Sequence, residues 1–294
     1  MHNTDLSNNN SNISLAPAWT LGPTSTAIIT PLAILLNGYV LFIFFTNKSL
    51  HTPFNVYLGS LLFANLIYSI LCNPLDVISG LYQTWPLSPT ACDVYIYALI
   101  VLGAMTVNSH ALITFNRLWA MTFPVSYRNQ HNLRISFHTV SVLWIYVHFL
   151  GLPGVIRDSL YFRAPLKDNA CSLNVELQLE WNIIMQFIGY DLPISSVIAV
   201  YPYLLIKHRF RRRIKYDRSL ALSKKTAYRN RNENVSVNDK TTDNTDEERK
   251  RGRKERYRAF IVTSLLTLSI LICWVPNATF FSINCFTTVD EPII

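Results

Sequence analysis

The sequence predicts an all-α integral membrane protein, and three observations indicate this fold class. Half of the 294 residues are hydrophobic and only 15% are charged, whereas an ordinary soluble domain carries about 25% charged residues. The apolar residues gather into six segments, each close to the length of about 20 residues that crosses the hydrocarbon core. Most of the charge lies in one connector, residues 207–258, which holds 19 Lys/Arg and 8 Asp/Glu. Six apolar segments in series indicate lipid rather than a buried soluble core.

The predicted spans carry few charged side chains. Asp76 lies towards the far end of the second span, and Asp191 lies within the fifth. Asp93 and Arg117 lie at the two ends of the third. Charge inside a bilayer is costly, so carboxylates within a span are functional candidates. The predicted spans cover about residues 26–46, 54–81, 90–118, 136–156, 181–206 and 259–283.

The connectors predict the orientation, because cytoplasmic connectors carry an excess of Lys and Arg. Residues 207–258 exceed every other connector in basic residues. We therefore predict that this connector is cytoplasmic and that the N-terminus lies outside the cell, in a multi-pass protein of the plasma membrane. The Asn-, Thr- and Asp-rich middle of the connector, residues 223–248, is typical of disorder.

The residues ahead of the first span, 1–25, form a polar, Asn-rich tail. The tail has no positively charged start followed by an apolar core, as a secretory signal would. The first span is therefore expected to insert and remain. Asn9 and Asn12 stand in Asn-x-Ser patterns on the predicted outer side, so we predict glycosylation there.

The last residues, 289–294, are an acidic turn followed by two apolar residues. This pattern is typical of the start of another span. We therefore expect the chain to be incomplete after its sixth span. The alternative is a six-span protein with a short outer or re-entrant tail.

Polar, aromatic and proline residues mark the spans in a recurring order. One such landmark is weak evidence, whereas the ordered series is strong. They are Asn37-Gly38 in the first span, Asn55 and Asn65 in the second, Trp85 and Cys92 ahead of the third, Asn116-Arg117-Leu118 at its end, Trp144 in the fourth, Pro193 and Tyr201 in the fifth, and Cys273-Trp274-Val275-Pro276 in the sixth. Over nearly the whole chain the series resembles the rhodopsin-like (class A) G-protein-coupled receptors. The resemblance implies a seven-transmembrane helical bundle, of which residues 26–294 contain six spans and the start of the seventh.

Cys92 and Cys171 are both predicted on the outer, oxidising side, where a disulfide is expected. The resemblance implies the same pair, which would hold the outer connector over the pocket entrance. With 78 residues between the two cysteines, a chain-entropy model puts the stabilisation at about 4 kcal/mol. The alternative is two free thiols.

At the inner end of the third span, the resemblance implies that Arg117 engages the G protein, with Tyr201 in a supporting role. The alternative is a guanidinium that reaches the interface and does no more. Two departures from the family are expected to weaken the resting state. Asn116 stands where relatives carry Asp, and Arg256 stands where many relatives carry an acid. Raised agonist-independent signalling is the resulting hypothesis.

In the sixth span, Trp274 and Pro276 form the landmark that the resemblance links to activation. Proline removes a backbone hydrogen bond and kinks the helix. A ligand contact outside can then become a helix swing inside. Pro193 is expected to make the fifth span irregular in the same way. For each proline a purely structural role is the equal alternative.

Asn65 stands where relatives carry the Asp that binds a sodium ion. A neutral amide supplies no charge and hard cations prefer carboxylates, so weak or absent sodium modulation is expected and no metal is predicted. Asn37 and Thr106 are expected to form a polar core network with Asn65. The alternative is a plain interhelical hydrogen bond of about 0.6 kcal/mol.

The predicted ligand pocket lacks the carboxylate that a buried ammonium needs, because Leu99 stands where the resemblance places the Asp of monoamine receptors. Asp76 is the best carboxylate for a ligand contact, although a role as a residue that only meets water is equally expected. The pocket is apolar to weakly polar, which fits a peptide or an uncharged small molecule. By analogy its lining residues are Asp76, Tyr95, Leu99, Ile100, Gly103, Met185, Gly189, Asn277 and Phe281.

The leading interpretation is a receptor that couples an extracellular peptide or small molecule to a heterotrimeric G protein. No hydrolase, transferase or metal constellation stands out, so no enzyme activity or cofactor is predicted. The pI of about 9.3 does not indicate nucleic acid, because the basic residues form one connector. One rival is a transporter or channel, which would need facing ionisable residues and an internal repeat. The other is a receptor-like or truncated protein that no longer signals.

Overall fold

The computed structural model describes residues 17–82, 84–166, 170–232, 261–262, 264–276, 278–280 and 282–283. Several of the residues for which the sequence predicts a role lie outside these ranges. They are the glycosylation sites Asn9 and Asn12, the pocket residues Asn277 and Phe281, the departure at Arg256, and the end of the chain from residue 284.

Every regular element in the described ranges is helical. The α-helices are α1 Leu21–Thr46, α2 Pro53–Leu81, α3 Pro89–Thr122, α4 Pro124–Gln130, α5 Leu133–Arg157, α6 Leu179–Ile184, α7 Leu192–Asn232 and α8 Ser264–Phe280. Three π-helical turns accompany them: Asp158–Phe162 after α5, Met185–Asp191 between α6 and α7, and Ile270–Trp274 within α8. Short 3-10 turns lie at Lys48–Leu50 and Glu176–Gln178.

Five helical segments of the described chain are long and apolar enough to cross a membrane. They are Leu21–Thr46, Pro53–Leu81, Pro89–Thr122, Leu133–Phe162 and Glu176–Arg211. These segments confirm the first five predicted spans, and the sixth corresponds to the shorter apolar helix α8. Within α3, 61% of the most apolar stretch is buried, against 6% to 28% in the other four. Among these five segments α3 is therefore the one most enclosed by protein.

Helix α7 is longer than the sequence predicted. It continues to Asn232, so the expectation of disorder from residue 223 is wrong for residues 223–232. The stretch Ser219–Arg231 contains Leu, Ala, Lys and Arg, which are strong helix formers. The Asn- and Asp-rich part that follows lies outside the described ranges.

Local signals in the sequence account for several helix starts. Thr52, Ser88 and Asn132 each accept, through a side-chain oxygen, a hydrogen bond from the backbone N–H three residues on, at 3.1 to 3.3 Å. Such oxygens satisfy backbone donors that have no partner inside the helix. Pro53 and Pro89 then occupy the first helical position, where the missing N–H of proline does no harm.

Two of the π-helical turns end two residues before a proline. The N–H of Leu192, just before Pro193, bonds to the carbonyl of Phe187. Likewise the N–H of Val275, just before Pro276, bonds to the carbonyl of Ile270. A proline ring collides with the carbonyl four residues earlier, and a wider turn relieves that contact. The irregular backbone expected at both prolines is thus present.

The chain divides into two compact units. The first is drawn from Met1–Lys48, Leu62–Met105 and Ile145–Asn182, of which the described parts are given above. Its core surrounds the start of α3 and the connector that follows α5. The buried side chains of this core are Trp85, Cys92, Tyr95, Ile96, Val155 and Cys171.

The second unit is drawn from Ser49–Leu61, Thr106–Trp144 and Ile183–Ile294. One of its clusters joins α3, α7 and α8, and the other joins α2 and α3. The Trp144 indole N–H, on α5, donates to Ser60 Oγ on α2 at 3.0 Å. The buried members of the two clusters are Val107, Ala111, Ile194, Val197, Ile270 and Ala278, and then Tyr57, Leu61 and Ile113.

Candidate functional site

A disulfide joins the start of α3 to the connector after α5. Cys92 and Cys171 are bonded, with 5.7 Å between their Cα atoms, and both are buried at 0% and 5% exposure. This confirms the predicted pair and excludes the alternative of two free thiols. Trp85, Tyr95 and Val155 pack around the disulfide in the core of the first unit.

Arg163 forms an ion-pair cluster beside the disulfide. Its Nε donates to Asp158 in a short contact, and its Nη1 lies 2.9 Å from Asp93 Oδ1 and 2.9 Å from Cys92 Sγ. Asp93 and Cys92 belong to α3, whereas Arg163 and Asp158 follow α5. The guanidinium therefore ties the outer connector to α3 independently of the covalent bond.

The carboxylate of Asp158 is the buried part of this cluster. Its side chain is fully enclosed, at 0% exposure. Besides the Arg163 guanidinium, it accepts hydrogen bonds from the Asn174 backbone N–H at 3.0 Å and from the Gln178 amide at 3.4 Å. Sequence reasoning missed this cluster. Its one signal was a pair of opposite charges five residues apart directly after an apolar span.

The structure brings together two residues of the predicted ligand pocket, Asp76 and Tyr95. The Tyr95 hydroxyl donates to Asp76 Oδ1 at 3.0 Å. Tyr95 is buried, and its ring stacks on Trp85 with 5.7 Å between centroids. Asp76 is exposed, and both ion pairs of the described chain use Arg163 instead. Among the described residues, Asp76 therefore has the Tyr95 hydroxyl as a hydrogen-bond donor but no ion-pair partner.

The other predicted pocket residues that the structure describes are divided between the two units. Leu99 and Ile100 pack against the core of the first unit, and Gly103 is buried in α3. Met185 and Gly189 belong to the second unit, in the π-helical turn Met185–Asp191, where both are buried. Their shared role in binding a ligand stays a prediction.

A polar cluster in the second unit joins the π-helical turn before α7 to Ser282, two residues after the end of α8. Asp191 accepts hydrogen bonds from Ser282 Oγ and from the Gln186 amide, each at 2.9 Å. The Asn108 amide of α3 donates to the Gly189 carbonyl at 2.8 Å. The residue four positions after Gly189 is Pro193, which has no N–H to donate to that carbonyl. The sequence pointed to Asp191 by its charge, but nothing distinguished Asn108, Gln186 or Ser282.

The landmark residues of the sixth span lie at and just after a π-helical turn. Trp274 is the last residue of the turn Ile270–Trp274, two positions before Pro276. Its indole packs against the cluster that joins α3, α7 and α8, and lies 6.1 Å from the Tyr190 ring. A change in the position of the Trp274 ring would therefore alter the packing of both α7 and α8.

At the end of α3, Arg117 has an aromatic partner in place of a carboxylate. Its guanidinium lies 3.3 Å from the centre of the Phe54 ring on α2, a cation–π geometry. Among the described residues its Nε has no hydrogen-bond partner. No hydrogen bond or ring contact in the described ranges joins it to Tyr201, so the supporting role of Tyr201 stays a prediction.

Asn116 directs its amide towards the connector between α3 and α5. Its Oδ1 accepts from the Tyr127 hydroxyl at 3.2 Å, and its Nδ2 lies 3.1 Å from His131 Nε2. The His131 ring stacks on Tyr127 at 4.3 Å and on Tyr57 at 5.8 Å, and lies edge-on to Trp119. We name this set the Asn116 cluster. Sequence reasoning treated Asn116 only as a missing carboxylate and did not single out His131.

Of the predicted polar core network, Asn37 and Asn65 take part in hydrogen bonds within their own helices. The Asn37 amide donates to the Ala33 carbonyl of its own helix at 2.8 Å. The backbone carbonyl of Asn65 accepts from Ser69 Oγ at 2.8 Å. Thr106 belongs to the other unit and has contacts of its own. The network therefore stays a prediction.

Comparison with known proteins identifies similar chains. The model of the family "7 transmembrane receptor (rhodopsin family)" matches residues 36–293. The 5-hydroxytryptamine receptor 1D of Canis lupus familiaris is 24% identical over 185 residues, covering 63% of this chain and 48% of that protein. Bombesin receptor subtype-3 of Ovis aries is 24% identical over 271 residues, covering 89% of this chain and 61% of that protein. The chain thus spans about half the length of the first relative and three fifths of the second.

Proposed function

Because the chain belongs to the rhodopsin family of seven-transmembrane receptors, we propose that it is a cell-surface receptor that activates a heterotrimeric G protein when an extracellular ligand binds. Its apolar helices make it a multi-pass membrane protein. The proposed orientation places the N-terminus outside and the basic connector after α7 in the cytoplasm, following the excess of Lys and Arg there.

The observation that supports this proposal most directly is the arrangement along α3. Tyr95, which is hydrogen-bonded to the exposed Asp76, lies near the start of α3, and Arg117 lies near its end. The 21 residues between them match the roughly 20 residues that cross a bilayer core. One continuous helix thus carries both the proposed ligand contact and the proposed G-protein contact.

The contact between Arg117 and Phe54 supports raised activity without agonist. A carboxylate partner would hold the guanidinium by charge as well as by hydrogen bonds. A cation–π contact supplies less, about 0.5–1 kcal/mol at exposed sites and about 2 when desolvated. With the Asn116 amide used by Tyr127 and His131, Arg117 is held more weakly. We expect it to reach a G protein more readily.

The ligand is proposed to be a peptide or a small molecule other than a typical monoamine. Leu99 supplies no carboxylate and packs against the core of the first unit. Asp76 is the carboxylate that a basic group on the ligand would meet, with Tyr95 fixing its orientation. One relative is a receptor for 5-hydroxytryptamine and the other a bombesin receptor by name, so the relatives do not decide between the two ligand classes.

Basal nucleotide exchange tests the coupling role. Membranes that contain the receptor would be mixed with purified G proteins of each class, and GTPγS uptake measured without agonist. We expect uptake above that of empty membranes, and Arg117→Ala should abolish the difference at equal surface expression. The control is Lys48→Ala, an exposed basic residue of another predicted cytoplasmic connector, which should leave uptake unchanged. Equal uptake with and without the receptor would instead support a non-signalling receptor-like protein.

A further inference from the structure

His131 is a hydrogen-bond partner of the Asn116 amide. It ends helix α4, where its backbone N–H bonds to the Tyr127 carbonyl at 2.9 Å. Its ring nitrogen Nε2 lies 3.1 Å from the Asn116 amide nitrogen on α3 and 3.3 Å from Ser136 Oγ on α5. Asn116 and Ser136 are buried at 6% and 0% exposure. One imidazole nitrogen thus meets side chains from both helices that flank α4.

This geometry specifies the protonation state of His131. An amide nitrogen can only donate a hydrogen bond, and the other end of the Asn116 amide is used, since its Oδ1 accepts from Tyr127. Nε2 of His131 must therefore accept, which a neutral ring with its proton on Nδ1 can do. An imidazolium carries hydrogen on both nitrogens and cannot accept. Adding a proton to Nε2 would oppose the N–H of Asn116 and break that contact. The Ser136 hydroxyl donates to the Asn132 carbonyl at 3.1 Å, so it can accept from a protonated ring.

The charges and titratable groups around the His131 ring also favour its neutral form. The nearby cation is Arg117 on α3. The rings stacked on His131 are Tyr57 of α2 and Tyr127 of α4. Burial, and then the positive charge of Arg117, lower the pKa of His131 below its ordinary value of 6.5. Burial raises the pKa of Tyr127, so its hydroxyl stays neutral. No carboxylate of the Asn116 cluster favours the charged ring.

We propose that neutral His131 is a positioning residue for G-protein coupling. It holds α4 to Asn116 on α3 and to Ser136 on α5, and protonation of its ring breaks the contact with α3 and lowers basal coupling. This inference rests on the proposed function for its effect on coupling, but the contact itself does not. Asn116 is then not simply a lost carboxylate, because an amide at this position selects the neutral ring where an aspartate would select the charged one.

Two substitutions separate this role from simple packing. In His131→Gln the amide oxygen stands near the place of Nε2, so it can accept from Asn116 but cannot titrate. We expect nearly normal basal exchange at pH 7.4, and no decline towards pH 5.5 beyond that of the G protein alone. In Asn116→Asp the carboxylate accepts from an imidazolium. An opposite charge at this range should raise the pKa of His131 by about one to three units.

The contact can be measured without a G protein by NMR titration of ring-labelled histidines in the purified receptor. The chain has 7 histidines, and the signal lost in His131→Gln assigns His131. We expect a midpoint below 6.5 in the wild type and above 6.5 in Asn116→Asp. A wild-type midpoint at or above 6.5, or one that Asn116→Asp does not raise, would overturn the contact.

Nucleotide exchange then tests the consequence. We expect wild-type basal exchange to fall between pH 7.4 and 5.5, His131→Gln to remove this fall, and Asn116→Asp to move it to higher pH. Equal pH profiles in all three proteins would overturn the positioning role even if the titration behaves as expected. If no G protein couples to any of them, the proposed function fails, while the titration still decides whether His131 makes the contact.

Discussion

Replacing Arg163 with alanine tests whether the connector after α5 is held by a buried ion pair as well as by the disulfide. In the wild type the guanidinium pairs with Asp158 and Asp93 and contacts Cys92 Sγ. Alanine would leave the fully buried Asp158 carboxylate with two weaker donors, the Asn174 N–H and the Gln178 amide. The positive partner of a buried charge would be gone.

The magnitude follows from the burial of the two partners. Breaking a buried ion pair by removing one member costs about 3–5 kcal/mol, because the remaining charge is left uncompensated. Asp93 is 37% exposed, and a pair of that kind contributes about 0–1 kcal/mol. We therefore expect Arg163→Ala to destabilise the receptor by about 3–5 kcal/mol, almost all of it through Asp158. Adding Asp158→Asn removes the stranded charge and should recover most of the loss.

Thermal unfolding of the purified receptor in detergent is the assay, followed by a thiol-reactive dye or by tryptophan fluorescence. Arg157→Ala is the control, because Arg157 is an exposed arginine next to the same turn with only a cation–π contact to Phe162 at 5.5 Å. We expect this control to lose about 1 kcal/mol at most. The reasoning is refuted if both variants lose equal stability, or if Asp158→Asn brings no recovery in the Arg163→Ala background.

Two further predictions concern packing within each unit. Gly154→Ala should destabilise at least at the upper end of the usual 1–3 kcal/mol for overpacking, because a Cβ there would lie 2.1 Å from two ring carbons of Trp181, against about 3.4 Å for ordinary contact. Gly38→Ala is the control, since its Cβ would meet one side-chain carbon at 3.9 Å, and equal thermal stability of the two variants would contradict this reading. Trp144→Phe and Ser60→Ala should each lose about 0.6 kcal/mol, since both remove the 3.0 Å hydrogen bond. In a double-mutant cycle of unfolding free energies, losses that simply add would show that the bond contributes nothing.

Much of the framework was predictable because its causes are local in the sequence. A span must bury its own backbone hydrogen bonds over a fixed thickness, so apolar length located the helices from Leu21–Thr46 to Glu176–Arg211. Residues beside the starts of α2, α3 and α5 supplied the capping oxygens. Pro193 and Pro276 predicted irregular turns, because a proline always removes the same backbone donor.

The site was predictable only in part. The sequence predicted Cys92 with Cys171, and it named both Asp76 and Tyr95, which prove to be hydrogen-bonded. It did not distinguish Arg163, an ordinary connector arginine by its neighbours in the chain. The predicted disorder was wrong over residues 223–232, where helix propensity carried α7 onwards.

Tertiary structure alone decided which side chains meet in ion pairs, cation–π contacts and hydrogen bonds. Arg163 and Asp93 are 70 positions apart in the chain, and Arg117 and Phe54 are 63 apart. Neither pairing produces a periodic pattern in the sequence. By itself the sequence determined that Asn116 is not an acid, and it suggested a site without a partner. The fold supplied His131 and Tyr127 instead, because the value of an amide depends on the donors and acceptors that other helices bring within 3 Å or so.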